Sequence, residues 1–280
     1  EGMSDAVLEQ FLNLYKKGYI YKGRRMVNWC TNCNTSVSDI EVEYHEEESH
    51  LWHIRYKIVG EEDKYVVVAT TRPETYFGDT AVMVNPDDNR YKELIGKEVM
   101  LPLINRKIKI IADSHVDSEF GTGVVKVTPA HDVNDYEVGK RHNLEFITIF
   151  DEKGILNEYC AEFEGLERLE ARDKIVQKLQ DEGFVEKIED YENQVGYCYR
   201  CKNVVEPYIS KQWFVKSQIA DEAIKSVNEG KAKFYPSHWI NSFNAWMREL
   251  KDWCISRQLW WGHQIPVFYC DCGHEWADEN

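Results

Sequence analysis

No apolar run in the 280-residue sequence approaches the ~20 residues needed to cross a bilayer, and the opening EGMSDAVLEQ lacks the basic start and apolar centre of a signal peptide. A cytoplasmic protein with no membrane partner is expected. Basic residues are also in deficit: 34 Lys and Arg stand against 49 Asp and Glu. That excludes a protein gripping nucleic acid over its whole surface, because phosphate binding needs a positive face. RNA contact has to be local, at Lys16, Lys17, Lys22, Arg24 and Arg25, at Arg106, Lys107 and Lys109, or at Lys140 and Arg141; scattered solvated cations are the competing account of each cluster. No G-x-S-x-G occurs, and His131 has no Ser or Cys in a nucleophile setting, which argues against covalent catalysis. Repeats are missing too, apart from the likeness of WCTNCN (29–34) to YCYRCKN (197–203).

That likeness organises the cysteines. Of the eight, Cys30, Cys33, Cys198 and Cys201 form two C-x-x-C turns, each able to aim two thiolates at one cation, and together they complete a tetrahedral S₄ shell suited to structural Zn²⁺. A redox dithiol needs only one pair, at a helix start after a strand, and neither pair has that setting. Cys270, Cys272 and His274 in YCDCGHEW read as half of a second site or as idle groups. Cys160 and Cys254 read as buried small hydrophobes.

The length allows one medium domain with appendages or two small ones. Periodicity predicts an amphipathic helix from Ser4 to Lys17 with Ser4 or Asp5 as cap, then strands at 51–58 and 64–70 joined by a GEED hairpin turn. Further strands are predicted at 80–84, 98–103, 107–112 and 123–129, enough for a small barrel or a curled sheet. Helices are predicted at 134–142 and 166–182, the second with a stripe of Leu169, Ile175, Val176 and Leu179. From Trp213 the composition shifts to Trp, Phe and helix formers, and 238–261 reads as a buried helix leading into a strand, in what is expected to be another domain. The fold class is mixed α+β.

TTRPET (70–75) and GTGVVKVTPAHDVNDY (121–136) place Thr, Arg, Lys and two Asp on neighbouring strand ends. Lys126 and Thr128 alternate onto one strand face, while Asp132 and Asp135 stand three apart at a helix start. Either these are a cap and an exposed strand face, or they are a polar pocket. Arg72 before Pro73 projects at a strand mouth towards a phosphate or carboxylate, or pairs with Glu74 or Asp79.

VNWC at 27, SDIEVEY at 38, ATTRPET at 69, GDTAVMVNPDD at 78, FGTGVVKVTPAHDVNDYEVGKRHNL at 120 and DWCISRQLWWGHQIP at 252 together resemble the class I valyl-tRNA synthetase family across essentially the whole chain. The resemblance implies an excised piece of a longer enzyme. Residues 1–50 would hold a helix and the first zinc knuckle, 51–190 a β-barrel editing domain with packed helices, 191–215 the second knuckle and a return strand, and 216–280 a helical segment returning to the catalytic core. It implies hydrolysis of threonine from mischarged tRNA for valine, with Lys126, Thr128, Asp132 and Asp135 as catalytic residues. Thr70, Arg72, Thr75 and Phe120 would line the substrate site, with Asp135 holding the α-ammonium group. The tRNA 3′ end and the rest of the synthetase chain are the implied partners of a monomer. Structural Zn²⁺ is the implied cofactor here, whereas ATP and Mg²⁺ belong to the full-length enzyme: HIGH and KMSKS are both missing, so no aminoacylation is expected from this chain alone. An isoleucyl-type editor that clears valine, or a tRNA-docking module without hydrolysis, are the alternatives.

Overall fold

Alternation of small β-branched residues with polar ones sets up most of the chain, and a computed structural model describes residues 2–119 and 121–278. In chain order, α1 (Gly2–Lys16), β1 (Ile20–Cys30), β2 (Thr35–Val37), β3 (Val42–Ile58), β4 (Tyr65–Thr70), β5 (Ala81–Val84), β6 (Glu98–Met100) and β7 (Lys107–Ala112) form the first half. They are followed by β8 (Val124–Val127), α2 (Val133–Arg141), α3 (Arg168–Asp181), β9 (Val185–Cys198) and β10 (Val205–Val215). The chain ends through α4 (Asp221–Asn228), α5 (Trp239–Arg248), β11 (Trp253–Cys254), β12 (Val267–Tyr269) and β13 (Glu275–Ala277). It divides into two compact units, one of Glu1–Val27, Thr35–Ser38 and Ser210–Asn280, the other of Asn28–Asn34 and Asp39–Ile209.

In the second unit seven strands form one sheet in the order β4-β3-β6-β7-β5-β8, with β9 pairing β3. The sheet curls as a half-barrel with β4 and β8 as its two ends, the curled sheet that strand spacing allowed beside a small barrel, in place of the barrel the resemblance implies. A side chain links those ends: the Thr122 hydroxyl donates to the Val67 carbonyl at 2.6 Å. Trp52, Ile54, Tyr56 and Ile58 of β3, Val66 and Val68 of β4, and Val82 and Val84 of β5 share the main core. Ala81 and Met83 pack with Val127 and Val138 in a second cluster that seats α2. This is the period-two alternation of a sheet covered on both faces.

The hairpin after β3 turns at Gly60 and Asp63, both with positive φ, as the GEED segment predicts. Helix α3 lies on the core through Ala171, Ile175 and Leu179. Its stripe differs from the predicted one by a step, since Arg168 is buried where Leu169 was expected, because a charge partner waits there. β3 and β9 pair from Val42↔Cys198 to Ile54↔Val185, a two-stranded ribbon that starts beside the second Cys turn.

The first unit has α1 packed through Phe11 and Leu12 onto Trp213 and Val215, with a four-stranded sheet ordered β11-β10-β1-β2. Helix α1 starts at Gly2, upstream of the predicted Ser4 or Asp5 cap. The buried helix predicted over 238–261 is instead the ten-residue α5, with no buried residue, followed by the two-residue β11 and irregular chain. Trp246 is 71% exposed and Trp260 fully so. Apolar spacing specifies which face seeks cover without supplying the cover.

Candidate active site

β8 carries Lys126 on the same face as Val124, and the chain then turns through Pro129, Ala130 and His131 into α2. On the facing side β4 ends at Thr70, and a 3₁₀ turn from Pro73 to Gly78 brings in Thr75 and Asp79. These segments meet. Lys126 Nζ donates to Thr75 Oγ1 at 2.9 Å, to Asp79 Oδ1 at 3.2 Å and to Thr128 Oγ1. The Thr128 hydroxyl donates to Asp79 Oδ1 at 2.6 Å, and the Tyr56 hydroxyl donates to Asp79 Oδ2 at 2.7 Å. The approach is close because residue 78 is glycine: a Cβ there would stand 3.0 Å from Thr128 Cγ2.

Asp135 adjoins this cluster, its Oδ2 accepting from the Thr128 amide at 2.8 Å. Burial pushes its carboxyl up to about 7, helped by the Asp132 charge and opposed by Lys126 and the Thr128 amide. Asp132 is the N-cap of α2 and accepts from the amides of Asn134 and Asp135 at 2.8 and 3.0 Å. It thus fills the capping role that one carboxylate of the pair was free to take. Burial holds His131 well below the ordinary histidine range, with the Arg72 and Lys126 charges adding to the effect. Its Nε2 accepts from the Ile149 amide at 2.9 Å, which commits that nitrogen to structure.

Arg72 is held by two acceptors and one longer ion pair. It donates to the His131 carbonyl at 2.8 Å and to the Glu206 carboxylate, and lies 3.6 Å from Glu74. Glu206 in turn accepts from buried Arg168 at 2.6 Å, and Glu74 pairs with Arg172 at 2.7 Å. Of the two partners the sequence offered Arg72, the structure therefore uses Glu74, while Asp79 goes to Lys126. Thr70 Oγ1 accepts from the Arg72 amide at 3.1 Å. Phe120 lies outside the described residues.

Sequence reasoning missed Tyr56, Asp79 as a member of the cluster, and Glu206. Tyr56 was hidden in a β-alternation where it reads as core. Asp79 had a signal, an acid directly after a glycine inside an apolar stretch. Glu206 had none, because its partners are remote in the chain.

The four cysteine sulfurs of Cys30, Cys33, Cys198 and Cys201 lie within 4.8 Å of one another. Cys30 Sγ and Cys201 Sγ are 3.4 Å apart, near the ~3.8 Å edge that four Zn–S bonds of about 2.3 Å give a tetrahedron. The group can hold a metal such as zinc. Burial pushes the Cys33 thiol up to about 11. It also acts on Cys201, where hydrogen bonds from Asn32, the Asn203 amide, Cys30 and Cys33 outweigh it and bring the thiol down to about 6.

The profile of tRNA synthetases class I (I, L, M and V) matches residues 1–280. The chain belongs to the class I tRNA synthetases. It is 71% identical over 281 residues to the valine–tRNA ligase of a Nitratiruptor species, covering 100% of this chain and 32% of that protein. Identity to the Campylobacter jejuni (strain RM1221) valine–tRNA ligase is 66% over 280 residues, again 100% of this chain and 32% of that protein. The Helicobacter pylori (strain 26695) enzyme is 62% identical over 277 residues, 99% of this chain and 32% of its own length. The chain spans about a third of the length of these relatives.

In this class I synthetase chain several of the cations considered for RNA contact are already engaged. Arg25 pairs with Asp252 at 2.6 Å, Arg141 with Asp113 at 2.9 Å, and Arg106 donates to the Asp79 carbonyl at 2.8 Å. Cys270 and Cys272 are exposed with their sulfurs 2.7 Å apart, while His274 stacks on Trp276. No helix among the described residues is long and apolar enough to cross a membrane.

Proposed function

We propose that this chain is the editing part of a valine–tRNA ligase and hydrolyses the ester of threonyl-tRNA(Val). In the whole protein this would accompany ATP-dependent attachment of valine to the same tRNA. The observation that carries the reading is the convergence of Thr75, Asp79, Lys126, Thr128 and Asp135, from segments far apart in the chain, on one buried polar cluster. A sheet interior does not desolvate such groups without return. Asp135 receives the α-ammonium group, Thr75 and Thr128 face the threonine side chain, and Asp132 lies at the cap beside the ester. Arg72 stands on the side of the terminal adenosine, and Thr70 lines the substrate site. Water attacks directly, with no covalent intermediate.

The selectivity follows from hydrogen-bond bookkeeping. An apolar synthetic site cannot strongly reject an isostere that merely adds a hydroxyl, so a second, polar site has to reward it. Valine, offering a methyl where threonine offers a hydroxyl, leaves buried polar groups unpaired at roughly 1–3 kcal/mol each. Around this site a zinc ion in the four-cysteine cluster ties the segments near 30 and 200 together.

Deacylation of labelled Thr-tRNA(Val) and Val-tRNA(Val) tests the reading. Release of threonine that is lost in Asp135→Ala is the expected result, and equal rates in both proteins would remove Asp135 from the site. Preferential release of valine would make this an isoleucyl-type editor. No release by a folded, zinc-loaded chain would leave a docking module.

A further inference from the structure

The hairpin loop between β6 and β7 reads LPLINR from Leu101 to Arg106, and two of its residues are left-handed without being glycine, Leu103 at φ 61° and Asn105 at φ 51°. A bulky side chain in that region is an outlier that persists only where the surroundings over-determine it. Leu103 and Ile104 pack on the main core, and the Leu101 amide donates to the Arg106 carbonyl at 2.8 Å to close the loop. The loop so held reaches one segment with two groups, the 3₁₀ turn that ends at Gly78. The Pro102 carbonyl accepts from the buried Tyr76 hydroxyl at 3.4 Å. Arg106 Nη2 donates to the Phe77 carbonyl at 2.5 Å and to the Asp79 carbonyl at 2.8 Å, one N–H to each.

Those two bonds straddle Gly78, where the backbone has no slack: an added Cβ would stand 3.0 Å from Thr128 Cγ2 and 3.1 Å from the Ile147 carbonyl. The side chain of the next residue, Asp79, is the shared acceptor of Lys126, Thr128 and Tyr56. Half-burying a guanidinium for two backbone carbonyls is costly, and Arg106 Nε stays buried without a partner. Burial works against its charge, and the Asp79 carboxylate is foremost among the groups that favour it.

We infer that Arg106 is a positioning residue of the polar cluster: reaching in from the β6–β7 loop, it fixes the Phe77–Asp79 backbone and so the aim of the Asp79 carboxylate at Lys126 and Thr128. The kinetic consequence rests on the editing reading, whereas the bracing itself is independent of hydrolysis. Arg106 thereby leaves the set of cations considered for RNA contact. Because both bonds start from one nitrogen, an ammonium of similar reach can make them and a shorter side chain cannot.

Arg106→Ala and Arg106→Lys are compared by threonine release from Thr-tRNA(Val) and by the NMR signal of the Lys126 ammonium protons, seen only while they are sheltered from exchange with water. In Arg106→Ala release is expected to fall about tenfold, the worth of a charge-assisted hydrogen bond, and the Lys126 signal to fade. Guanidinium chloride, at concentrations that leave the parent's melting temperature unchanged, should restore both, which it could not do for a protein that had lost its fold. Arg106→Lys should stay within about threefold of the parent. Where Arg106→Ala does not fold, Arg106→Gln, polar but two bonds shorter, takes its place with the same expectations. A parental rate with an unchanged Lys126 signal overturns the inference, and so does a loss that guanidinium leaves untouched. Fading and rescue of the Lys126 signal in a protein that releases no threonine would sink hydrolysis alone, whereas Asp135-dependent release indifferent to Arg106 would sink the brace alone.

Discussion

The Asp135 carboxylate accepts the Thr128 amide at 2.8 Å, so a side chain from the first turn of α2 fixes the end of β8. One carboxylate oxygen is thus used to build the cluster itself.

Asp135→Asn keeps an acceptor for the Thr128 amide and removes a charge that burial opposes. Because the folded-state carboxyl is raised from 3.8 to about 7, the protonated form favours the fold, and its contribution is complete below about pH 4 and lost as pH rises through 7. The three-unit difference sets a ceiling on the order of 4 kcal/mol. Thermal unfolding is expected to show the variant more stable than the parent at pH 8 and equal to it near pH 4. A pH-independent difference would contradict the raised carboxyl.

Glu206→Ala removes one of the two carboxylates on fully buried Arg168, leaving Glu167, and leaves Arg72 with the more distant Glu74. A loss of about 1–3 kcal/mol in denaturant unfolding is expected, below the cost of a wholly uncompensated buried charge. Replacing both partners, Arg168→Met with Glu206→Leu, should recover part of it. If the single variant unfolds at the parental midpoint, the network contributes nothing.

Gly139→Ala tests a conflict between local preference and packing. Helix propensity alone favours alanine by about 1 kcal/mol. A Cβ at this position would stand 2.7 Å from Pro129 Cβ and 3.1 Å from Phe146 Cζ, so overpacking of about 1–3 kcal/mol should win and lower the melting temperature. The same push displaces the turn between Thr128 and Asp132, and deacylation should fall with it. A more stable variant would mean that α2 can shift freely.

The four-cysteine cluster is expected to hold one zinc per chain by atomic-emission analysis. Cys33→Ser and Cys198→Ser should each lose it, and a strong chelator should lower the melting temperature of the parent but not of either variant. Metal content well below one in freshly purified protein would count against the site.

Much of the site was legible because its signals are local. Alternation put Lys126 and Thr128 on one face, the Asp132 spacing announced a helix start, and paired C-x-x-C turns announced a cluster. Arg72 was less legible, since a strand-end arginine can meet a ligand or an acid with the same local pattern. Of the acids and arginines around it only Glu74 is a near neighbour in the chain, whereas Glu167, Glu206, Arg168 and Arg172 come from distant segments. The aromatic run after Trp239 misled for a related reason: its spacing described a helix face wanting cover, and the fold covers it only in part, with Ile240, Phe243 and Met247 half-buried and Phe243 against Phe234.

By itself the sequence determined the α+β class, the strands between 51 and 129, the cysteine cluster and the family, because periodicity, turn chemistry and motif identity are written in residues close together, while β1, β2 and β9 went unpredicted. Only the tertiary structure decided that the sheet stops at a half-barrel, that Asp79 sits at the centre of the polar cluster, and which acceptor each donor takes. Those outcomes depend on burial and on which charge lies within about 3 Å of which, and a linear chain does not carry distances between its remote parts.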